Sequence, residues 1–339
     1  MQKKYFTGPL RVLLSLLAVL IVGVLMLVAV GGWGIKYYNA PGKTEEAVTV
    51  LIPKGTGFEG VTKILHDNGV ITHPLAFSVT ALLLDKSRLI KAGEYEFPAQ
   101  VSPKDVLSSL VEGKTVIHRI TIPEGFTTTQ TLAQIAAEEK LSGDLPADIQ
   151  EGELLPETYY FSRGDDRSEL VARMKRDMRS TLMDLWEKRQ PDLPFRTPQE
   201  ALTLASIVEK ETSLASEYTV VASVYINRMR IGMPLQADPT VIYAVTLGKE
   251  PLGRALRYSD LRMESAYNTY FVKGLPPGPI ANPGRKALEA VFYPAETDYI
   301  FFVADGKGGH NFSRTLDEHN RYVAQFRRIL QDQRAAKSE

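Results

Sequence analysis

The run from Val12 to Val30 constrains this chain more than any other stretch. It is apolar apart from Ser15 and Gly23. At about 1.5 Å per helical residue, its roughly 19 residues match the hydrocarbon thickness of a bilayer. Lys3, Lys4 and Arg11 precede it, and Trp33, Tyr37 and Tyr38 follow it as an interfacial belt. The positive-inside bias puts residues 1–11 in the cytoplasm and everything after Tyr38 outside. A cleaved signal peptide is the competing reading, but the run is longer than a usual signal core and no convincing A-x-A site follows. The expected span is therefore 12–33, followed by a linker over 34–46.

Forty basic and forty acidic residues balance, so nothing suggests nucleic acid or another strongly charged partner. The absence of cysteine excludes disulfides, thiolate metal sites and cysteine nucleophiles. His310 and His319 lack a helical ligand spacing and no H-E-x-x-H occurs, so no metal site is expected. His310 reads as a hydrogen-bonding loop residue.

Two segments outside the membrane look alike: TVLIPKGTGFEGVTKIL from Thr49 and RITIPEGFTTTQTLAQIA from Arg119. Each reads as an alternating strand, an Ile-Pro-x-Gly turn and an amphipathic helix. Between them, Pro74 to Leu84 reads as a helix and AGEYEFP, Ala92 to Pro98, as a strand. Ser102-Pro103-Lys104-Asp105 opens a further helix that Gly113 ends. These elements bound a small α/β module at 47–114. From Arg167 onward the chain is mainly helical. Apolar residues from Leu170 to Trp186 form a helical stripe, read as core packing.

LTLASIVEKETS, Leu202 to Ser213, is an apolar helix that ends in acids. Thr197-Pro198-Gln199-Glu200 is its capping box. Residues at 100° intervals place Ala201, Leu204, Ile207 and Val208 on one arc, with Ala205 and Leu202 extending it. Glu211 falls inside that arc and Glu209 near its edge. Thr203, Ser206 and Lys210 share the polar side. A carboxyl group aimed at apolar packing resists ionisation, and the helix C-terminus pushes the same way. Glu211 is thus a candidate proton donor near neutral pH; the plain alternative is a solvated Glu-Lys-Glu helix end.

Three later segments hold loops rich in Gly, Pro, Asn and Tyr: Val221–Tyr243, Ser265–Gly284 and Ile300–Phe312. Such loops between packed elements suit a cleft. Tyrosine faces and neutral amides suit a sugar polymer.

ASIVEKET, INRMRIGMPLQADPTVIY, AYNTY, GLPPGPIANPG, FVADGKGGHNF and LLPETYYF, in this chain, resemble the YceG-like family of endolytic murein transglycosylases. The resemblance spans nearly the whole chain and implies an α+β protein: a transmembrane helix, a LysM-like module at 47–114, and a mainly helical catalytic domain at 115–332 with a loop-rich cleft. Residues 333–339 read as a polar tail. The catalytic acid implied by the resemblance is Glu211. The implied substrate is the peptidoglycan glycan strand, cut at the β-1,4 bond between N-acetylmuramic acid and N-acetylglucosamine without water or cofactor. Asn227, Gln236, Asp238, Tyr267, Asn268 and Thr269 are expected to line the cleft. The bacterial inner membrane is the expected location, with penicillin-binding proteins as partners. Two other readings stay open. One is a hydrolase using Asp238 or Glu209 as second carboxylate; the other is a non-catalytic glycan-binding scaffold.

Overall fold

The computed structural model describes residues 8–338 and divides into two compact units. The first holds residues up to His118 with the short return Ser162–Gly164. It begins with helix α1, Gly8–Asn39, which carries one 28-residue span, Val12–Asn39, long and apolar enough to cross a membrane. The helix therefore continues beyond residue 33 and takes up half of the expected linker. No proline or glycine turn interrupts Lys36-Tyr37-Tyr38, so nothing stops it before Asn39.

The rest of this unit packs around one antiparallel pair, β1 (Val48–Ile52) and β2 (Gly93–Phe97). Helices α2 (Phe58–Asp67), α3 (Pro74–Leu83) and α4 (Pro103–Glu112) cover it. Val50, Ile52, Tyr95 and Phe97 meet Leu65, Phe77, Leu107 and Leu110 in its core. The Ser102 hydroxyl caps α4 by accepting from the Asp105 N–H at 3.2 Å, and Gly113 ends it in the left-handed conformation at φ +77°. Glu94 in β2 is buried. Burial pushes its carboxyl up, but hydrogen bonds from His118 (2.5 Å) and Arg163 (2.9 Å) outweigh this and hold it below the ordinary range.

The second unit holds Arg119–Phe161 and Asp165–Glu339. Strands β3 (Ile117–Thr121) and β4 (Thr158–Ser162) pair, and α5 (Thr128–Ala137) follows β3. The repeated strand–turn–helix unit is present in both places: β1 leads to α2, and β3 to α5, each through a glycine at positive φ, Gly55 and Gly125. Then come α6 (Arg167–Lys188), α7 (Pro198–Glu211), α8 (Tyr218–Arg230), α9 (Asp238–Thr246), α10 (Tyr258–Leu261) and α11 (Arg285–Phe292). The hairpin β5 (Phe301–Ala304) and β6 (His310–Ser313) precedes α12, Leu316–Ser338. That last helix runs on through the described part of the expected polar tail.

Helix α7 lies at the centre of this unit, against α6, α8, α9 and α11. Every residue from Ala201 to Val208 is buried. Of the expected polar side, Lys210 is exposed but Thr203 and Ser206 are buried. Thr203 and Ser206 turn their hydroxyls onto the backbone carbonyls of Gln199 and Thr203, and Ser206 Oγ also accepts the Ile280 N–H at 3.0 Å. Small hydroxyl residues satisfied this way let a loop approach the helix closely. The capping box is only half formed. Thr197 accepts from the Glu200 N–H, whereas the Glu200 carboxylate reaches one residue further back, to the Arg196 N–H at 2.6 Å.

Candidate active site

Helix α7 delivers its final residue, Glu211, into the second unit at intermediate exposure. The Tyr225 hydroxyl donates to Glu211 Oε1 at 2.5 Å. Tyr225 comes from the buried face of α8, beside Val221, Ala222 and Ile226, and its ring meets Phe302 of β5 edge-on at 5.8 Å. Desolvation drives the Glu211 carboxyl up from 4.5 to about 7. The Tyr225 hydrogen bond opposes this, nearby Asp238 adds to it, and Arg228 opposes it. Burial and the adjacent Glu211 charge push the Tyr225 phenol well above its ordinary range, so it remains a donor.

The residue after the acid is fixed separately. Thr212 donates its hydroxyl to Glu217 Oε2 at 3.0 Å. Glu217 Oε2 also meets His310 Nδ1 at 2.7 Å, while Oε1 accepts the His310 backbone N–H at 2.7 Å. One carboxylate thus ties the end of α7 to the β5–β6 hairpin. His310 is a hydrogen-bonder as expected, but it is the first residue of β6 rather than a loop residue.

Glu209 does not point into solvent either. It accepts the Gly284 N–H at 2.9 Å and the Tyr218 hydroxyl at 3.0 Å. Desolvation raises its pKa, the Gly284 hydrogen bond opposes this, and Glu124 adds to the rise. Its oxygens are committed to holding the Gly-Pro-rich loop that precedes α11. Asn282 in the same loop is fully buried. Its Oδ1 accepts the Leu154 N–H, and its Nδ2 donates to the Phe126 carbonyl and Thr128 Oγ1.

The other sequence candidates fall into two groups. Gln236 and Asp238 are exposed. Gln236 adopts a left-handed conformation at φ +50°, and Asp238 is the first residue of α9 rather than a loop residue. Asp238 Oδ1 accepts the Tyr270 hydroxyl at 2.7 Å. Burial, then the Asp238 hydrogen bond, raise the Tyr270 phenol. Tyr267 is half-buried and packs on Tyr243 with ring centroids 4.8 Å apart.

Asn227, Asn268 and Thr269 instead spend their polar atoms inside the protein. Asn227 Nδ2 donates to the carbonyls of Thr297 and Tyr299. Asn268 is fully buried, donating to Leu261 and Met263 and accepting the Tyr270 N–H. Thr269 Oγ1 is buried and accepts the Ala237 N–H at 2.9 Å. Arg228 was not singled out in the sequence. Its guanidinium binds the carbonyls of Ile300 and Leu235 and holds the β5 approach against the end of α8. Among the described residues there is no cluster of three or more His, Asp or Glu able to hold a metal ion.

Residues 50–325 match the model of the YceG-like family. The chain belongs to the YceG-like family. It is 31% identical over 309 residues to the endolytic murein transglycosylase of Bacillus subtilis (strain 168), covering 82% of this chain and 84% of that relative. The Streptococcus pneumoniae serotype 2 protein of the same name is 29% identical; the match covers 83% of this chain and 59% of that longer relative. A crystal structure of a YceG-like protein from Listeria monocytogenes shares 32% identity and superposes with a TM-score of 0.50, covering 81% of this chain and 99% of that one.

Proposed function

We propose that this YceG-like chain is a membrane-anchored endolytic murein transglycosylase with Glu211 as its single acid/base. The observation that carries this reading is the Glu211 carboxyl, held at about 7 at the end of a buried helix. A group with that pKa is partly protonated at neutral pH and can work in both directions.

Protonated Glu211 gives its proton to the glycosidic oxygen as the bond from that oxygen to C1 of N-acetylmuramic acid breaks. The resulting carboxylate accepts the proton of the muramoyl C6 hydroxyl as O6 closes on C1. One proton enters and one returns, no water is consumed, and the product ends in 1,6-anhydro-muramic acid. The Tyr225 hydroxyl stabilises the carboxylate between the two transfers. Gln236, Asp238 and Tyr267 contact the glycan, whereas Asn227, Asn268 and Thr269 shape the cleft by holding its walls. The LysM-like module at 47–114 holds long strands and does no chemistry. The strands are cut on the outer side of the inner membrane, beside the penicillin-binding proteins that polymerise them.

Mass spectrometry of products from purified glycan strands tests the chemistry. Anhydro ends without incorporated ¹⁸O from labelled water are expected. Reducing ends carrying ¹⁸O would replace this reading by a hydrolase using Asp238. Retained strand binding without cleavage would replace it by a scaffold.

A further inference from the structure

Helix α3, Pro74–Leu83, is apolar apart from Ser78 and Thr80, yet only half covered. Phe77 and Ala81 are fully buried in the core of the first unit. On the opposite side Leu75, Val79, Leu82 and Leu83 are 82%, 55%, 60% and 81% exposed. Their spacing, i, i+4 and i+7/i+8, makes one continuous stripe. Leu84 and Leu89 continue it past the helix end. A soluble surface rarely carries such a patch without a partner.

The position of the stripe relative to α1 says which partner. The His73 ring, just before α3, sits edge-on to Trp33 and Tyr37 at 5.1 and 5.0 Å, and its backbone N–H donates to Tyr37 Oη at 3.2 Å. Trp33 and Tyr37 are the interfacial belt at the outer end of the apolar span. Between α1 and α3 lies an almost wholly apolar groove of about 800 Å³, lined by Val30, Trp33, Ile35, Leu75, Val79 and Leu83. Val30 ends the apolar run that starts at Val12, just before the Trp33 and Tyr37 belt, so the groove opens at the depth where acyl chains meet headgroups. Lys86 and Arg88 follow the stripe, and Arg88 is exposed, suitably placed for lipid phosphates.

Given that α1 spans the membrane, we propose that the exposed face of α3 is a second membrane contact, lying in the outer leaflet with acyl chains filling the groove beside α1. The first unit is then held flat at the bilayer surface by two points rather than swinging on one helix. A second protein could also cover an apolar face, but continuity with the aromatic belt favours lipid.

The chain has no cysteine, so single cysteines can carry an environment-sensitive fluorophore at Leu75, Val79 or Leu83 in the full-length protein in nanodiscs. Leu20→Cys in α1 reports independently that the chain has inserted. Quenching by lipids with nitroxides high on the acyl chain is expected to reach about twofold or more at all three α3 positions, with little quenching by aqueous iodide. Leu75→Glu combined with Leu82→Glu should abolish the lipid quenching at Val79 and leave that at Leu20. Iodide quenching without lipid quenching at the three positions, with Leu20 quenched by lipid, would overturn the proposal. Protection from both quenchers would also overturn it, and would mean that a protein covers the face.

Discussion

Glu211→Gln should make the protein more stable and catalytically dead at once. In an unfolded chain the Glu211 carboxyl titrates near 4.5, and in the folded one near 7. Its folded pKa is raised because burial penalises the charge. Protonated Glu211 therefore contributes its full stability below pH 4.5, and that contribution is lost as pH rises through 7. A difference of about 2.5 units corresponds to about 3 kcal/mol against the folded state at pH 8. Gln is never charged and still offers an oxygen to the Tyr225 hydroxyl, but its buried amide costs about 1 kcal/mol. A net gain of about 2 kcal/mol at pH 8 follows, a rise of about 4–8 °C in Tm for a unit of this size. Below pH 4.5 the gain should vanish. On the proposed mechanism activity should fall by at least about 10²–10⁴-fold, because the one group assigned to move the proton both ways is gone. The assay pairs thermal melts of both forms in detergent from pH 4 to 9 with anhydro-muropeptide release. Equal Tm differences at pH 4 and pH 8, or no stabilisation at pH 8, would refute the claim that desolvation sets this carboxyl.

Four further outcomes are expected. Tyr225→Phe removes a hydrogen bond to the carboxylate worth about 1.5–3 kcal/mol, so the alkaline fall of kcat/KM should move up by about 1–2 pH units; an unmoved or lowered limb would sink the assignment. Glu209→Gln keeps an acceptor for the Gly284 N–H, so cleavage rates should stay within about tenfold of the parent; inactivity matching that of Glu211→Gln would bring back a two-carboxylate mechanism. Glu217→Ala frees both Thr212 and His310, and should slow cleavage by about 10²-fold through misplacement of the acid while lowering Tm; a parental rate would mean that the hairpin does not position it. Asn268→Ala strands buried carbonyls at a cost of about 2–4 kcal/mol, seen in denaturant melts, with KM unchanged in the folded fraction; a raised KM would instead make Asn268 a glycan ligand.

The helical arc in LTLASIVEKETS was enough to aim Glu211 at apolar surroundings, because a helix fixes side-chain directions once its period is known. The same reasoning puts Thr203 and Ser206 on the polar side but does not tell whether that side is wet, since a hydroxyl can donate its proton to a carbonyl of its own helix and pack anywhere. The two amides, Asn227 on α8 and Asn268 in a loop, are harder to read. Asn227 and Asn268 have the chemistry to bind a sugar, yet a chain with so many turns leaves backbone carbonyls that need donors, and nearby amides supply them. Whether an amide faces substrate or its own loop depends on tertiary distance, which spacing along the chain does not encode. Tyr225 did leave a signal: a tyrosine in a stripe with Val221, Ala222 and Ile226 must find a polar partner inside the core. The carboxylate that the arc had already turned inward was the group available.

The three acids from Glu209 to Glu217 differ in how many donors their oxygens already hold, which is the ground for proposing only Glu211 as the acid/base. A carboxylate offers about four acceptor positions. Glu217 fills three, with the Thr212 hydroxyl, the His310 N–H and the His310 ring. Glu209 fills two, with Gly284 and Tyr218. Among the described residues, Glu211 has the single Tyr225 donor and is otherwise desolvated at the end of α7. Each donor stabilises the anion, so removing donors while keeping burial is what carries a carboxyl towards neutral pH. In the proposed reaction the same shortage leaves a carboxyl oxygen free to donate its proton to the glycosidic oxygen and then to accept one from the C6 hydroxyl. Glu209 and Glu217 spend their oxygens holding the loop and the hairpin in place. Adding a donor beside Glu211 should therefore cost activity even where it strengthens the fold.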